Sequence, residues 1–433
     1  MYLILGFGET GVSFARYLTR RGQPFCVMDS RPNPPGMSLF KTWRKEDLFF
    51  GNFDTSALKK IKKVLVSPGI EFKNKVLEEA RRMGIPIQTD IELFLEETNT
   101  KTILVTGTNG KTTVVSMIGH LLSIINGNDE VICSGNIGKP VLDTIEENNS
   151  FSVIEVSSFH LEHSKRISSD ISVLLNIQPD HLDRHVTLEE YSLIKQKIFM
   201  NTKIGITGVK NLKEDKTHIL NFKELLRPIE EEILSLVNPE WPSHEVNNVK
   251  AAVSVFIAIE TMLGKLDINN LRKSDLNPLI KNISFKAFKR PSHRFEVLGI
   301  LKGITFINDS KSTNVFSLIT ALDSTRKKFD KRKVILICGG VSKNQDFLTI
   351  PKTSLEVVKS IFIFGKDKQT IYKALNKKVP CFLTANIEEA LHEAKSLSRD
   401  NDVILFSPAC SSTDMFTSYE ERGDKFKELL GFR

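Results

Sequence analysis

The chain has 433 residues, too many for one ordinary core, with 40% hydrophobic residues, 26% charged residues and a formal net charge of +8, so two or three globular domains are expected. Its lysines alternate with acids, as in KELLRPIEEEIL, and no arginine–aromatic stripe runs along it; the positive balance reads as a solvated surface, with no nucleic-acid partner. No apolar run reaches the length of a membrane span, the opening MYLILGFGET reads as a first strand rather than a signal peptide, and the five cysteines lack any C-x-x-C pairing; the expectation is a cytoplasmic protein with free thiols and no membrane insertion.

In chain order, three βα blocks are expected, over 1–97, 98–289 and 290–433, each a mostly parallel sheet covered by helices. The first opens with the strand YLILGF, a helix through Ala15–Leu18 and the strand FCVM ending at Asp29. Gly6-Phe7-Gly8-Glu9-Thr10-Gly11 fits G-x-G-x-x-G, and Asp29 stands at the distance of a ribose-binding acid. This fingerprint reports a diphosphate at a helix N-terminus, not which nucleotide carries it. Uridine diphosphate and NAD fit equally, so a nicotinamide-dependent oxidoreductase competes at this point, and the bland alternative is a glycine-packed turn without ligand. The strand KVLVSPG, a helix through Val76–Met83, the strand IPIQ and the segment Asp90–Leu95 complete the block, and ETNTKT reads as a linker.

The second block begins with ILVTGTNGKTTVV: a strand over Thr102–Val105, a glycine turn, and a helix opened by Lys111-Thr112-Thr113 and ending near Leu122. The backbone N–H groups of Gly107, Thr108, Asn109 and Gly110 can turn inward on phosphate, Lys111 can reach the β/γ-phosphates, and the Thr112 hydroxyl can sit on Mg²⁺. The loop, G-x-x-G-K-T, is shorter between its glycines than the general phosphate-loop pattern. Asn136 begins a loop in GNIG. Glu155 ends the strand FSVIEV, where a Mg²⁺-binding acid beside a phosphate-loop strand belongs. LLNIQPDHLDRH leads into Asp180–His185, a strand-end cluster suited to metal or phosphate. Lys195 lies on the helix YSLIKQKIF and reads, on its own neighbours, as an ordinary helix-surface lysine. Asn211–Glu240 is polar and poorly periodic.

The third block alternates RFEVLGI, ITFIND, a helix from Asn314, VILICGG, IFIFG and VILFSPA. Asp309, Lys311 and Thr313 follow a strand and open a helix, Lys343 follows another strand, and Ser411, Ser412 and Thr413 stand at the final strand-to-helix turn. Polar groups therefore gather at the C-terminal ends of strands, where α/β folds bind ligands.

TGTNGKTT, GNIG, EVSSF, NIQPDHLDRH, HRFE, NDSKSTN and SPACSSTDMF, in this order, resemble the Mur ligases of bacterial peptidoglycan synthesis, and the resemblance covers nearly the whole chain. Within that family GFGETG, VMDSR, VSPGI, TDIELF and SPACSSTDMF are similar to the D-glutamate-adding members rather than to those that add alanine, diaminopimelate or lysine, or a dipeptide. The resemblance implies an α/β enzyme of three domains: a Rossmann-like N-terminal domain for a UDP-linked substrate, a P-loop ATPase-like central domain for ATP and Mg²⁺, and a Rossmann-like C-terminal domain for the amino acid. It implies an ATP-dependent ligase that passes through an acyl phosphate and acts on UDP-N-acetylmuramoyl-L-alanine and D-glutamate, and a monomer is expected.

The same resemblance distributes roles. Lys111, Glu155, His181 and Lys195 are catalytic; Thr112, Glu155, His181 and Lys195 hold metal, Lys195 as a carbamate. Gly107–Thr113, Asn248, Arg294 and Asp309 bind ATP. Gly8, Glu9, Thr10, Gly11, Asp29, Ser30, Arg31, Ser67, Pro68, Gly69 and Asn136 bind the UDP substrate. Lys311, Thr313, Lys343, Ser412, Thr413 and Tyr419 bind D-glutamate. Three residues depart from the family pattern: His160 stands in place of glutamine, Glu245 in place of the first asparagine of H-N-x-x-N, and Tyr419 in place of phenylalanine. Among competing functions, a folylpolyglutamate synthase shares the ATP loop but leaves the N-terminal block unexplained. An oxidoreductase accounts for the first block alone, and a non-catalytic ATP-binding module leaves Lys111, Glu155, His181 and Lys195 unexplained.

Overall fold

The computed structural model describes residues 1–39, 47–126, 130–210, 212, 218–329 and 333–432, and each expected block yields one sheet. The first contains β1 (Tyr2–Leu5), β2 (Phe25–Asp29), β3 (Leu48–Phe50), β4 (Lys63–Val66) and β5 (Ile87–Gln88) in the order β3-β2-β1-β4-β5, all parallel. The second contains β6 (Lys101–Thr106), β7 (Val131–Gly135), β8 (Phe151–Glu155), β9 (Ser169–Leu174), β10 (Thr202–Thr207) and β11 (Ile219–Asn221) in the order β11-β10-β9-β6-β8-β7, again all parallel. The third contains β12 (Glu296–Leu301), β13 (Ile304–Asn308), β14 (Val334–Gly339), β15 (Val358–Phe364), β16 (Cys381–Leu383) and β17 (Val403–Phe406) in the order β12-β13-β17-β14-β15-β16. Only its edge strand β12 runs antiparallel.

The central strands are continuous apolar runs because helices cover both faces of a parallel sheet: Leu3–Leu5, Ile103–Val105 and Val334–Cys338 are buried throughout. The edge strands β3 and β16 were not anticipated from the sequence; three residues each give no alternation to read. The helix after the phosphate loop runs Lys111–Asn126, a turn beyond the expected end near Leu122, because Ser123–Asn126 contains no breaker. Of the poorly periodic stretch, residues 211 and 213–217 lie outside the described residues, and the remainder forms β11 and the helices Phe222–Leu225 and Glu230–Leu236.

The chain packs as two compact units. One comprises Met1–Ile177, Glu189–Leu236 and Asn247–Phe288, so the first two sheets share it, and one core cluster runs from Phe7, Phe14 and Leu18 to Leu104, Ile154 and Leu161. The other comprises Gln178–Leu188, Val237–Val246 and Lys289–Arg433; the two short segments, expected in the central block, group with the third sheet. Its core has a layer on each face of the sheet, one around Leu318, Leu336 and Ile371, the other around Phe306, Phe406 and Phe426. Cys26, Cys338 and Cys410 are buried free thiols. Among the described residues no helix is long and apolar enough to cross a membrane.

Candidate active site

β1 and β4 are neighbours at the point where strand order reverses, and the loops that leave them open a crevice at the C-terminal edge of the sheet. The resulting cleft, about 440 Å³, is lined by Gly6, Gly8, Glu9, Thr10, Asp29, Ser30, Arg31, Ser67, Pro68, Gly69 and Ile70. The helix Glu9–Arg20 starts on its wall, and Gly8 has no side chain to cap it, so the orphan N–H groups of the first turn border the cleft. Gly11 does not line it. A Cβ there would lie 2.1 Å from the Gly6 carbonyl oxygen, so close helix–strand packing requires glycine at this position. Asp29 is buried beneath the cleft, with Oδ2 accepting from Phe7 N at 2.7 Å and Oδ1 from Arg31 N at 2.9 Å, while the Arg31 guanidinium grips both oxygens. Burial pushes this carboxyl up, but Arg31 and the two N–H groups outweigh it and hold Asp29 below its ordinary range. The acid therefore shapes the loop as an anion.

In the same unit, β6 ends in the phosphate loop. Gly110 has φ +89°, and a Cβ on it would come 2.7 Å from Asn248 Oδ1, so both conformation and crowding require glycine. Asn176, after β9, clamps the loop: its Oδ1 accepts from Asn109 N and its Nδ2 donates to Asn109 O, each at 3.0 Å. Lys111 Nζ donates to Gly107 O and Thr108 O at 2.8 Å, which centres the ammonium over the loop. β8 lies beside β6, and Glu155 at its end accepts from Thr112 Oγ1 at 2.7 Å and from Asn136 Nδ2 at 3.1 Å. Asn136 is thus brought to Glu155 and not to the cleft beside β1, whose lining does not include it.

Lys195 is only 1% exposed, which corrects the surface reading. Tyr191, one turn earlier on the same face, is buried as well, so the periodicity turns Lys195 inward. Its Nζ donates to Gly107 O at 3.0 Å and lies 4.7 Å from the centre of the Tyr191 ring. Thr112, Glu155 and Asn136 offer the hard oxygen donors that suit Mg²⁺. Among the described residues, no three His, Cys, Asp or Glu side chains gather into a ready cation site. His181 belongs to the other compact unit, where it adopts φ 54° beside Asp180, whose Oδ2 accepts from Asn314 Nδ2 at 3.0 Å.

In that second unit the loops after β13, β17 and β14 meet at one sheet edge. Lys311 Nζ stands 3.5 Å from the centre of the Tyr419 ring, so two of the expected D-glutamate residues come together. Val341 and Ser411 form an isolated antiparallel bridge that joins the Lys343 loop to the Ser412–Thr413 loop. The expected positions at helix starts shift slightly: Asn314 caps the helix Val315–Lys328 and Ser418 caps Tyr419–Leu430, so Thr313 and Ser411–Thr413 lie on the preceding loops. Asp309 is engaged internally, Oδ1 accepting from Phe295 N at 3.0 Å and Oδ2 from Ser407 Oγ at 2.8 Å. Burial pushes its carboxyl up to about 7, against the pull of these donors and of Arg294 and Arg290.

The departures acquire partners. Glu245 is buried and accepts from Arg290 Nε and Nη2 at 3.1 and 2.8 Å, an ion pair that an asparagine would not make. Asn247 is exposed, whereas Asn248 faces the phosphate loop. His160 completes the capping box of Ser158–His163. Two residues escaped the sequence reading. Gln345 donates to the carbonyls of Thr313, Ser342 and Ala409 and accepts from Val315 N, stitching all three loops. Arg422, fully buried, donates to Ser310 O and Cys410 O at 2.7 and 3.0 Å.

Family models match in the same order as the sheets: a Mur ligase MurD-like N-terminal domain over residues 1–89, a Mur ligase middle domain over 105–235 and a Mur ligase glutamate ligase domain over 293–410. Proteins named UDP-N-acetylmuramoylalanine–D-glutamate ligase from Legionella pneumophila strain Paris and Coxiella burnetii strain RSA 331 are each 32% identical, over 98% and 99% of this chain and 98% of their own lengths. Among solved structures, MurF from Acinetobacter baumannii superposes with a TM-score of 0.58 at 15% identity, covering 99% of this chain and 90% of that one. MurF from Thermotoga maritima in complex with ADP gives 0.53 at 16% identity, covering 99% and 93%; both likenesses concern the fold. With its relatives matched end to end and its three sheets in the same order as the three domain models, the chain belongs to the Mur ligase family.

Proposed function

We propose that this chain is an ATP-dependent ligase that adds D-glutamate to UDP-N-acetylmuramoyl-L-alanine in peptidoglycan precursor synthesis, acting as a cytoplasmic monomer. The observation that carries the reading is the convergence of Lys111, Thr112, Glu155 and buried Lys195 on one phosphate loop, in the same compact unit as the cleft at β1 and β4. Residues 1–97 would hold the UDP moiety, 98–289 ATP, and 290–433 the amino acid. The alanyl carboxylate attacks the γ-phosphorus of ATP; the bond to the bridging oxygen breaks, giving ADP and an acyl phosphate. The D-glutamate amine then attacks the acyl carbon, phosphate leaves and the amine loses a proton.

Both steps bring anionic oxygens together, so fixed cations and donors carry the catalysis. Lys111 neutralises the β/γ-phosphates while the N–H groups of Gly107–Gly110 hold them, and Asn136 orients the reacting end of the UDP substrate. Asn248, Arg294 and Asp309 serve the nucleotide. Thr112 and Glu155 would hold one Mg²⁺, and Glu155, His181 and Lys195 a second; the metal supplies charge neutralisation on the phosphoryl oxygens. An ammonium cannot ligate a cation. Reaction of the Lys195 amine with CO₂ forms an N–C bond, releases one proton and leaves a carbamate oxygen able to do so. Lys311, Thr313, Lys343, Ser412, Thr413 and Tyr419 would grip D-glutamate. Release of phosphate only when ATP, UDP-N-acetylmuramoyl-L-alanine and D-glutamate are all supplied tests the reading; oxidation of NADH without phosphate release would replace it with the dinucleotide alternative.

A further inference from the structure

The short helix Ser158–His163 follows β8 directly, with Glu155 three residues before its start. Both its ends are held. At the start, the Ser157 hydroxyl lies 2.7 Å from His160 Nδ1, closing the capping box. At the end, Lys197 Nζ donates to Leu161 O and Glu162 O at 3.1 and 3.0 Å, a cation placed where the helix carbonyls are unsatisfied. The last residue, His163, is buried and reaches the first sheet, its Nε2 lying 2.8 Å from the backbone oxygen of Ile70. A carbonyl only accepts, so Nε2 carries the hydrogen and donates.

Ile70 closes a turn, its N–H donating to Ser67 O at 3.1 Å, and Ser67 Oγ in turn donates to Gly6 O at 2.9 Å. The Ile70 side chain also covers the glycine loop so tightly that a Cβ on Gly6 would lie 3.1 Å from its Cγ1. Fixing the Ile70 carbonyl therefore fixes two walls of the cleft. The His163 ring meets Phe72, two residues on, at 5.9 Å between ring centres.

We infer that His163 is a positioning residue: through its Nε2–H bond to Ile70 it holds the Ser67–Ile70 turn in the shape that binds a uridine diphosphate, and couples that turn to the helix behind Glu155. The inference rests on the reading of this cleft as the UDP site, and the test separates the two. UDP itself is titrated calorimetrically into the native protein and into His163→Leu and His163→Gln variants, with ATP titrated as the internal control. Expected are native UDP binding, a loss of about 5- to 30-fold in His163→Leu as for a buried partner left unpaired, unchanged ATP affinity, and recovery in His163→Gln, which keeps a donor. In turnover the same leucine variant raises KM for the UDP substrate and keeps kcat. Native UDP affinity in His163→Leu overturns the inference, and absence of UDP binding by the native protein overturns the reading of the cleft. Should His163→Leu lose ATP binding as well, His163→Gln decides: native-like UDP affinity supports the role and weakened affinity refutes it.

Discussion

Lys111 and Lys195 converge on one carbonyl, that of Gly107, the first from 4 and the second from 88 residues further along the chain. Two ammonium groups on the same loop concentrate positive charge where a triphosphate would lie, yet their tasks differ. Lys111→Ala removes charge needed in the transition state; phosphate release should fall by about 10²–10³-fold or more, as for loss of one preorganised donor, while UDP affinity holds because the cleft lies at another sheet. Near-native phosphate release would refute the ATP-site assignment. Lys195→Ala should be nearly inactive, with partial recovery in acetate, whose carboxylate can enter the vacated space and stand in for the oxygens of the proposed carbamate. Full activity without acetate would refute the carbamate.

Asp309 gives a pH prediction. Its folded-state value of about 7 exceeds the ordinary 3.8, so the native protein binds this proton more tightly than the unfolded chain does. Stability from this group is greatest below pH 4 and is lost as pH rises toward 7, by at most about 4 kcal/mol. Asp309→Asn should flatten that slope, read as chemical-denaturation midpoints at pH 5 and pH 7.5; an unchanged slope would show that the carboxyl ionises freely in the fold.

At the level of elements, Gln345 joins three loops in the second unit and Arg422 joins two of them. Replacing Gln345 by alanine leaves the Val315 N–H and three carbonyls to find other partners, at a cost of about 1–3 kcal/mol, and should raise KM for D-glutamate with ATP affinity unchanged. A variant with native KM and thermal midpoint would show that the loops hold without it. Nothing in VSKNQDF sets this glutamine apart from a surface residue, because three of its four partners are backbone groups of loops and a helix start distant in sequence. Glu155, by contrast, was legible: a strand-end acid beside a phosphate-loop strand has a place in any parallel sheet. The phosphate loop and the G-x-G-x-x-G turn carry their geometry within a few residues and so were read with their elements. The packing of Gly11 against the Gly6 carbonyl was not legible, since spacing alone does not say which glycine a close backbone approach requires. The inward turn of Lys195 follows from Tyr191 one helical turn before it, a periodicity that its charge concealed. Edge strands β3 and β16, three residues each, fall below what alternation can reveal.

For the molecule as a whole, the cleft and the phosphate loop belong to one compact unit and the Lys311, Lys343 and Ser412–Thr413 loops to the other, so the two chemical steps should be separable by mutation. Lys343→Ala should still form ADP slowly from ATP and UDP-N-acetylmuramoyl-L-alanine, because Lys343 belongs to the proposed amino-acid site and is not among the groups proposed for that step, yet should lose amide formation. The same partition predicts substrate choice. Lys311 and Lys343 with the Ser412–Thr413 turn, as proposed, would offer two anion-holding points, matching an amino acid with two carboxylates. D-Alanine would leave one of them unpaired, at about 1–3 kcal/mol. L-Glutamate can fill both, but its amine then points away from the acyl carbon, and a misdirected nucleophile forfeits the advantage of orientation. Product formation with D-glutamate should therefore far exceed that with L-glutamate, D-alanine or meso-diaminopimelate, measured as amide product per ADP released. Preference for L-glutamate or diaminopimelate would overturn the assignments in the second unit and leave the ATP chemistry of the first intact.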